Sequence, residues 1–216
     1  MLNEVKKYTH IIWDWNGTLL DDAWLCVDVM NDILMEYNLP VSTLERYRAI
    51  FEFPVMDYYE KLGFDFSKDP FEKVGMEFMI RYNDRQKEAS LHREVLDVLE
   101  LLHKKGYGQS ILSAREQNEL RKEIQEMGIS PYFSMVFGLN DHYAHGKTDI
   151  GKNLLKALNQ PKGDFLFIGD TLHDAEVATE LGIDCILIPN GHHSYERLVT
   201  SGVPVVDSIR DIMKML

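Results

Sequence analysis

Three aspartates, one serine and one lysine stand where side chains can converge on a single crevice. Asp14 follows the short apolar, β-prone run from Tyr8 to Trp13 and precedes the turn dipeptide Asn16-Gly17. Ser113 follows a second such run, Gly108 to Leu112, and Gly169-Asp170-Thr171-Leu172-His173-Asp174 follows a third, Phe165 to Ile168. Lys147 lies just before a helix-like stretch. Carboxylates brought close together raise one another's pKa unless a cation neutralises them. A hard divalent ion that takes oxygen ligands and keeps several waters does this, and magnesium is the natural candidate.

The elements that must position these residues fall into two patterns. From Asp21 to about Ser90 the apolar residues recur at helical spacing: Trp24, Val27, Ile33 and Leu34, then Leu44 to Phe51, Val55 to Leu62, and Phe71 to Arg85 after Pro70. Beyond residue 90, helix-like and strand-like segments alternate. Helices are expected over Glu94 to His103, Gln117 to Met127, Asp149 to Leu158 and Ala175 to Leu181. Strands are expected over Gly108 to Leu112, Ser134 to Phe137, Phe165 to Ile168 and Cys185 to Ile188. Such alternation predicts a doubly wound parallel α/β sheet, residues 1–20 and 88–216, with a helical lobe, residues 21–87, inserted after the first strand. Ligands of these sheets bind outside the carboxyl ends of the strands, where the candidate residues fall.

Asp14-Trp15-Asn16-Gly17-Thr18-Leu19, then Ser113, Lys147, and Gly169-Asp170 followed by Asp174, occur in that order with a helical insert after the first. They resemble the four motifs of the haloacid dehalogenase superfamily, nearest to its phosphoglycolate phosphatase-like branch with a helical cap. The resemblance runs from about Tyr8 to Leu216. It implies a Rossmann-like core and a magnesium-dependent phosphatase acting on a small phosphorylated metabolite. By that resemblance Asp14 would be the nucleophile, forming an aspartyl-phosphate that water cleaves. Ser113 and Lys147 would hold the phosphoryl oxygens. The loop from Trp15 through Gly17 to Thr18, with Ala114, would border the phosphate, glycine allowing close approach. Asp14, Asp170 and the main-chain carbonyl of Asn16 would ligate magnesium, and Asp174 would complete or orient the shell.

One position departs from the pattern. Phosphatases of this family usually carry a second aspartate two residues after the nucleophile, acting as general acid and then base; here Asn16 stands there. An amide donates hydrogen bonds but transfers no proton near neutral pH. General acid/base catalysis is typically worth ~10² to 10⁴ in rate, or roughly 3 to 5 kcal/mol. Three resolutions follow: a leaving group that needs little protonation, a neighbour such as His173 or His145 taking the proton, or a protein that only binds phosphate and regulates.

Simpler readings compete with each motif. Asn16-Gly17 also fits a type I′ hairpin turn between Ile11 to Trp15 and Thr18 to Leu20. Ser113 with Glu116 spells a capping box for the helix from Gln117. Asp170 and Asp174 also suit a strand-end turn and a helix N-cap. Lys147 is less easily dismissed, because a cation at a helix start opposes the helix dipole by ~0.3 to 1 kcal/mol. Gly146-Lys147-Thr148 is no P-loop, since Asp141 stands where that motif needs glycine. His142, His145, His173, His192 and His193 match no zinc spacing. His192 and His193 follow the last strand and are expected near the crevice.

Composition narrows the partners. The chain has 216 residues and a net charge of −12, with no basic cluster, so a nucleic-acid backbone is an improbable ligand. Two cysteines, Cys26 and Cys185, with no CxxC, fit a reduced cytoplasmic setting. The longest apolar run, Ala23 to Val27, is far short of the ~20 residues of a membrane span. Between residues 20 and 90 there are eight basic and fifteen acidic residues, so the lobe is no polyanion clamp. Its aromatics, including Phe51, Phe53, Tyr58 and Tyr59, suit an apolar lid. Arg46, Arg48 and Arg115 are candidates for an anionic substrate tail, and the expected state is a monomer or homodimer.

Overall fold

The computed structural model describes residues 8–139 and 146–216. The chain begins with β1 (His10–Trp13) and a two-residue strand, β2 (Leu20–Asp21), and then enters four helices: α1 (Ala23–Glu36), α2 (Leu44–Ile50), α3 (Val55–Leu62) and α4 (Phe71–Arg85). It returns through β3 (Ser90–Leu91) and α5 (Val95–Lys104). After that come β4 (Gly108–Glu116), α6 (Gln117–Glu126), β5 (Met135–Leu139), α7 (Lys147–Leu158), β6 (Phe165–Gly169), α8 (Leu172–Leu181), β7 (Asp184–Leu187) and the short α9 (Tyr195–Leu198).

Five strands form one parallel sheet in the order β5-β4-β1-β6-β7. β1 is central and buried along its whole length, as a strand covered on both faces must be. Its side chains alternate between two apolar layers. Ile11 and Trp13 join Ile111, Leu166 and Ile168 on one face, continuous with the helical lobe. Ile12 joins Leu112, Phe165 and Phe167 on the other, under α7 and α8. The strand order reverses about β1, so the ends of β1, β4 and β6 open into one crevice. The helical lobe is tethered by a two-rung antiparallel ribbon, Leu20 opposite Leu91 and Asp21 opposite Ser90. Among the described residues, no helix is long and apolar enough to cross a membrane.

The structure corrects several local readings. Asn16-Gly17 makes no hairpin. The amides of Leu19 and Leu20 both donate to the Trp15 carbonyl at 3.0 Å, closing a tight turn, and β2 then pairs with distant β3. β4 runs on past Leu112 to Glu116, with a register shift against β5 that the Gln117 amide bridges, donating to Val136 O at 3.2 Å and accepting from Gly138 N at 2.8 Å. Ser113 therefore lies in a strand and caps nothing. Glu116 is the N-cap of α6, accepting from Asn118 N and Glu119 N at 3.0 and 2.9 Å. α8 starts three residues earlier than its apolar period suggests, because Thr171 and Asp174 form a capping box there. α7 likewise starts at Lys147.

His10 on β1 is buried, its Nε2 2.8 Å from Ser110 Oγ and its ring edge-on to Phe165. Burial lowers its pKa from 6.5 to about 4. The folded state then resists a proton that the unfolded chain accepts, so stability is full above 6.5 and falls as pH drops from 6.5 towards 4, by up to about 3 kcal/mol. Urea midpoints across that interval are expected to fall less steeply in His10→Gln than in the parent protein; parallel slopes refute the assignment.

Candidate active site

Each acidic side chain is placed by an element end. Asp14 follows β1, its N–H donating to the Ile168 carbonyl at 2.8 Å, which locks it beside β6. Asp170 follows β6, and Asp174 sits in the first turn of α8. The three offer carboxylate oxygens that all lie within 4.8 Å of one another, and all three side chains are buried. Lys147, first residue of α7 and 3% exposed, reaches between two of them: its Nζ is 2.6 Å from Asp14 Oδ1 and 2.6 Å from Asp174 Oδ1. The mismatch of a cation with the helix start is resolved by two carboxylates.

Asp174 performs two tasks with two oxygens. Oδ1 accepts from Lys147, while Oδ2 accepts from Thr171 N at 2.9 Å, Thr171 Oγ1 at 2.7 Å and Asp170 N at 3.2 Å. Asp174 thus serves the helix start as the N3 partner of the N-cap Thr171, not as the N-cap itself, while its other oxygen meets Lys147. Although burial raises its carboxyl, Lys147 and Thr171 hold it below the ordinary value. Asp14 and Asp170 are pushed the other way. Burial raises both, reinforced by their acidic neighbours, against the pull of Lys147 on Asp14 and of His192 on Asp170. Such a trio, with one ammonium among them, is a site that gains from further positive charge.

Asp170 is held from two sides, by Thr18 Oγ1 at 2.8 Å and by His192 N at 2.6 Å. The Thr18 hydroxyl is therefore engaged on the protein, with only a 3.5 Å contact to Asp14 Oδ2. Gly17, at φ +74°, is required here: a Cβ would stand 2.3 Å from Asp170 Oδ2 and 2.6 Å from His192 Cδ2. Ser113 is buried at the crevice end of β4 and accepts from Arg115 N at 3.1 Å, with Ala114 half-buried beside it. Trp15 turns its side chain into the core, where its indole N–H donates to Glu123 Oε2 at 2.7 Å, so its main chain alone borders the loop.

The Asn16 amide is held by Asp22 and Tyr82. Its Nδ2 donates to Asp22 Oδ2 at 2.8 Å and lies 3.0 Å from the Tyr82 hydroxyl, which itself donates to Asp22 Oδ2 at 2.7 Å. Gly17 N donates to Asp22 Oδ1 at 2.8 Å, and His192 Nε2 lies 3.5 Å from that oxygen. Burial alone would raise the Asp22 carboxyl, but His192, Tyr82 and Asn16 outweigh it and hold the pKa at about 2. Burial likewise disfavours the His192 cation, yet Asp22 and Asp170 raise it to about 9. Asp22, a fourth buried acid in this neighbourhood, was not singled out from the sequence, and its partner Tyr82 comes from the far end of the lobe.

The lobe is docked on the core at this place. Tyr47 OH meets His192 Nδ1 at 2.7 Å, and Arg48 donates to the carbonyls of Gly191 and Asn190 at 2.8 Å each. Arg197 donates to the carbonyls of Arg48 and Phe51. Arg115 does not reach for a substrate. It is buried between Glu123 at 2.8 Å and Glu119 at 3.0 Å, and ties them to Asn83 on α4 at 2.8 Å. Arg46 donates to Lys61 O at 3.3 Å. Of the three arginines considered for an anionic tail, Arg48 and Arg115 are thus engaged within the protein, while Arg46 is exposed. His173 lies against Phe53 and 3.4 Å from Glu176, and has no bond to Asn16 among the described residues. His142 and His145 lie outside those residues.

With this geometry in view, the comparisons with known proteins agree. Residues 11–188 match the family model of the haloacid dehalogenase-like hydrolases, and the chain belongs to that family. A phosphoglycolate phosphatase of Pseudomonas savastanoi pv. phaseolicola is 24% identical over 219 residues, covering 94% of this chain and 78% of the relative. One from Rhodobacter capsulatus is 23% identical over 188 residues, covering 84% of each. Among solved structures, a haloacid dehalogenase-like hydrolase of Streptococcus pneumoniae superposes with a TM-score of 0.83 at 20% identity, covering 96% of this chain and 97% of that one. Protein tyrosine kinase A of Mycobacterium tuberculosis does so at 0.80 and 20%, covering 97% and 98%. Likeness at that level defines the fold alone.

Gly17→Ala is expected to destabilise the protein by at least about 2 kcal/mol, combining a strained φ with the clash on Asp170. Gly163→Ala, where a Cβ meets nothing within 4 Å, is the control and is expected to change stability by less than about 0.5 kcal/mol. Denaturant titration of the two variants decides it.

Proposed function

We propose that the chain is a magnesium-dependent phosphatase for a small phosphorylated metabolite, with residues 21–87 acting as a cap over the catalytic core. The observation that carries this reading is Lys147 fixed between Asp14 and Asp174, beside Asp170. The donor set fits magnesium: hard carboxylate oxygens converge, and burial raises two of the three carboxyls, a cost that a divalent cation removes. Asp14, Asp170 and the main-chain oxygen of Asn16 would hold the ion, oriented by Asp174. Bound there, magnesium supplies positive charge to the phosphoryl oxygens.

The remaining roles belong to the chain itself. Asp14 attacks phosphorus, and its orientation is fixed by Lys147 at one oxygen. Lys147 has three N–H donors and two are engaged on carboxylates, which leaves the third for a phosphoryl oxygen. Ser113, the main chain of Trp15, Asn16 and Thr18, and Ala114 complete the cradle, while the Gly17 amide is held by Asp22. The Tyr47, Arg48 and Arg197 contacts hold the cap down and keep water from the aspartyl-phosphate until hydrolysis. Asn16 favours a second reading, a phosphate-binding regulatory protein with little turnover. Its bond to Asp22 supports that reading, giving the amide a structural partner.

Phosphate release with magnesium separates the two. The parent protein is expected to hydrolyse esters of good leaving groups, and Asp14→Ala to lose at least about 10³-fold. Asn16→Asp sets a second carboxyl against Asp22, so one of the pair takes up a proton; alkyl esters should then gain ~10² to 10⁴-fold. Turnover only after Asn16→Asp establishes the regulatory reading. Magnesium should raise the melting temperature of the parent and not of Asp170→Asn, and a shift preserved in that variant removes Asp170 from the metal site.

A further inference from the structure

Aromatic rings of the helical lobe roof the histidines that adjoin the crevice. Phe51 has its ring centroid 5.5 Å from that of His192 and 6.1 Å from that of His193, and Phe53 lies tilted at 5.0 Å against His173, the residue before Asp174. Phe51 and Phe53 are themselves edge-to-face at 5.3 Å, and Tyr47 and Tyr58 back them. The roof thus stands on histidines adjoining both metal-side acids: His192, whose amide binds Asp170, and His173. His173 Nε2 is buried with no hydrogen-bond partner among the described residues, a polar point at the edge of an apolar surface.

A substrate tail bearing a carboxylate would need a cation here. Among the described residues, the arginines at this place are engaged within the protein: Arg48 on the carbonyls of Asn190 and Gly191, Arg197 on those of Arg48 and Phe51, and Arg115 on Glu119 and Glu123. His192 is paired with Asp22, and Lys147 with Asp14 and Asp174. His193 Nδ1 accepts from Leu172 N at 3.1 Å. Asn16 adds an independent constraint, because the leaving oxygen receives no proton from that position.

Resting on the phosphatase reading, we propose that the natural substrate is a phosphate ester of an uncharged, flat leaving group joined through an sp² carbon, an aryl or enol phosphate, and not a carboxylated alkyl phosphate such as phosphoglycolate. In the first step the Asp14 Oδ–P bond forms, the P–O bond to the leaving group breaks, and its electron pair departs as a stabilised aryl or enol oxyanion without prior protonation. In the second, water attacks phosphorus, the acyl phosphate P–O bond breaks to restore the Asp14 carboxylate, one water proton stays on the phosphate and the other goes to solvent. The ring of the leaving group lies under Phe51 and Phe53, where stacking and burial act together.

Phosphonates, which are not hydrolysed, test the ligand class apart from turnover. By calorimetry on the whole chain with magnesium, phenylphosphonate is expected to bind at least about tenfold tighter than phosphonoacetate, with ethylphosphonate between them. Phe53→Ala should lower the ratio of phenylphosphonate to inorganic phosphate affinity by about tenfold. Equal or tighter binding of phosphonoacetate overturns the proposal, as does an unchanged ratio in Phe53→Ala, or binding of neither phosphonate. Parallel assays of phenyl phosphate and 2-phosphoglycolate keep the two readings separate. A phenylphosphonate preference with no release from either ester supports the ligand class while refuting hydrolysis; faster release from 2-phosphoglycolate refutes the ligand class while supporting hydrolysis.

Discussion

An ammonium lodged between two buried carboxylates is the interaction on which the rest of this structure turns. Lys147 closes the gap between the end of β1 and the start of α8, 2.6 Å from an oxygen of each acid. Without it, three carboxylates would share one small, dry volume, a state that unpaired ions do not tolerate. The sheet order brings β1 and β6 side by side so that Asp14 and Asp170 meet, and α7 starts at its lysine, whose Nζ reaches Asp14 and Asp174. Thr171 and Thr18 then serve as fixed struts for Asp174 and Asp170.

Much of this was legible from the amino-acid sequence, for reasons that can be named. β1, β4 and β6 are short apolar runs ending in polar residues, and a strand buried on both faces leaves little else to read. Four helical stripes between residues 21 and 90 are a matter of period alone, and all four helices form. Element starts were less legible where a polar side chain determined them. α8 begins with its capping box and not with its first apolar stripe, and Glu116 displaced Ser113 as the cap of α6 because β4 extends past Leu112.

The role of charge was the least legible part. Arg115 looks like an exposed helix-start arginine until Glu123, eight residues on, and Asn83 of the cap enclose it. Asp22 resembles an ordinary acid at a strand-to-helix junction, and only Tyr82, 60 residues further along the chain, and His192 make it a buried anion. Local pattern reports whether a residue suits a surface, while the balance of a buried charge depends on partners from other elements. Asn16 shows both sides: its departure from the family pattern was visible at once, but the carboxylate that holds it was not.

The two-rung ribbon joining cap and core also bears on how the chain acquires its structure. β1 is the centre of the sheet, yet its neighbours are remote: His10 pairs with Gly108 and with Phe165. Neither contact can form until the whole helical excursion has been looped out. Loop closure costs grow only slowly with length, but a long excursion delays the search for a partner. Pairing Leu20 with Leu91 and Asp21 with Ser90 brings the two ends of that excursion together, so the four helices can condense as a local unit while β1 and β4 are held near register. The tether of the finished protein is in this sense a clasp for the nascent one, shortening the loop that the sheet must close.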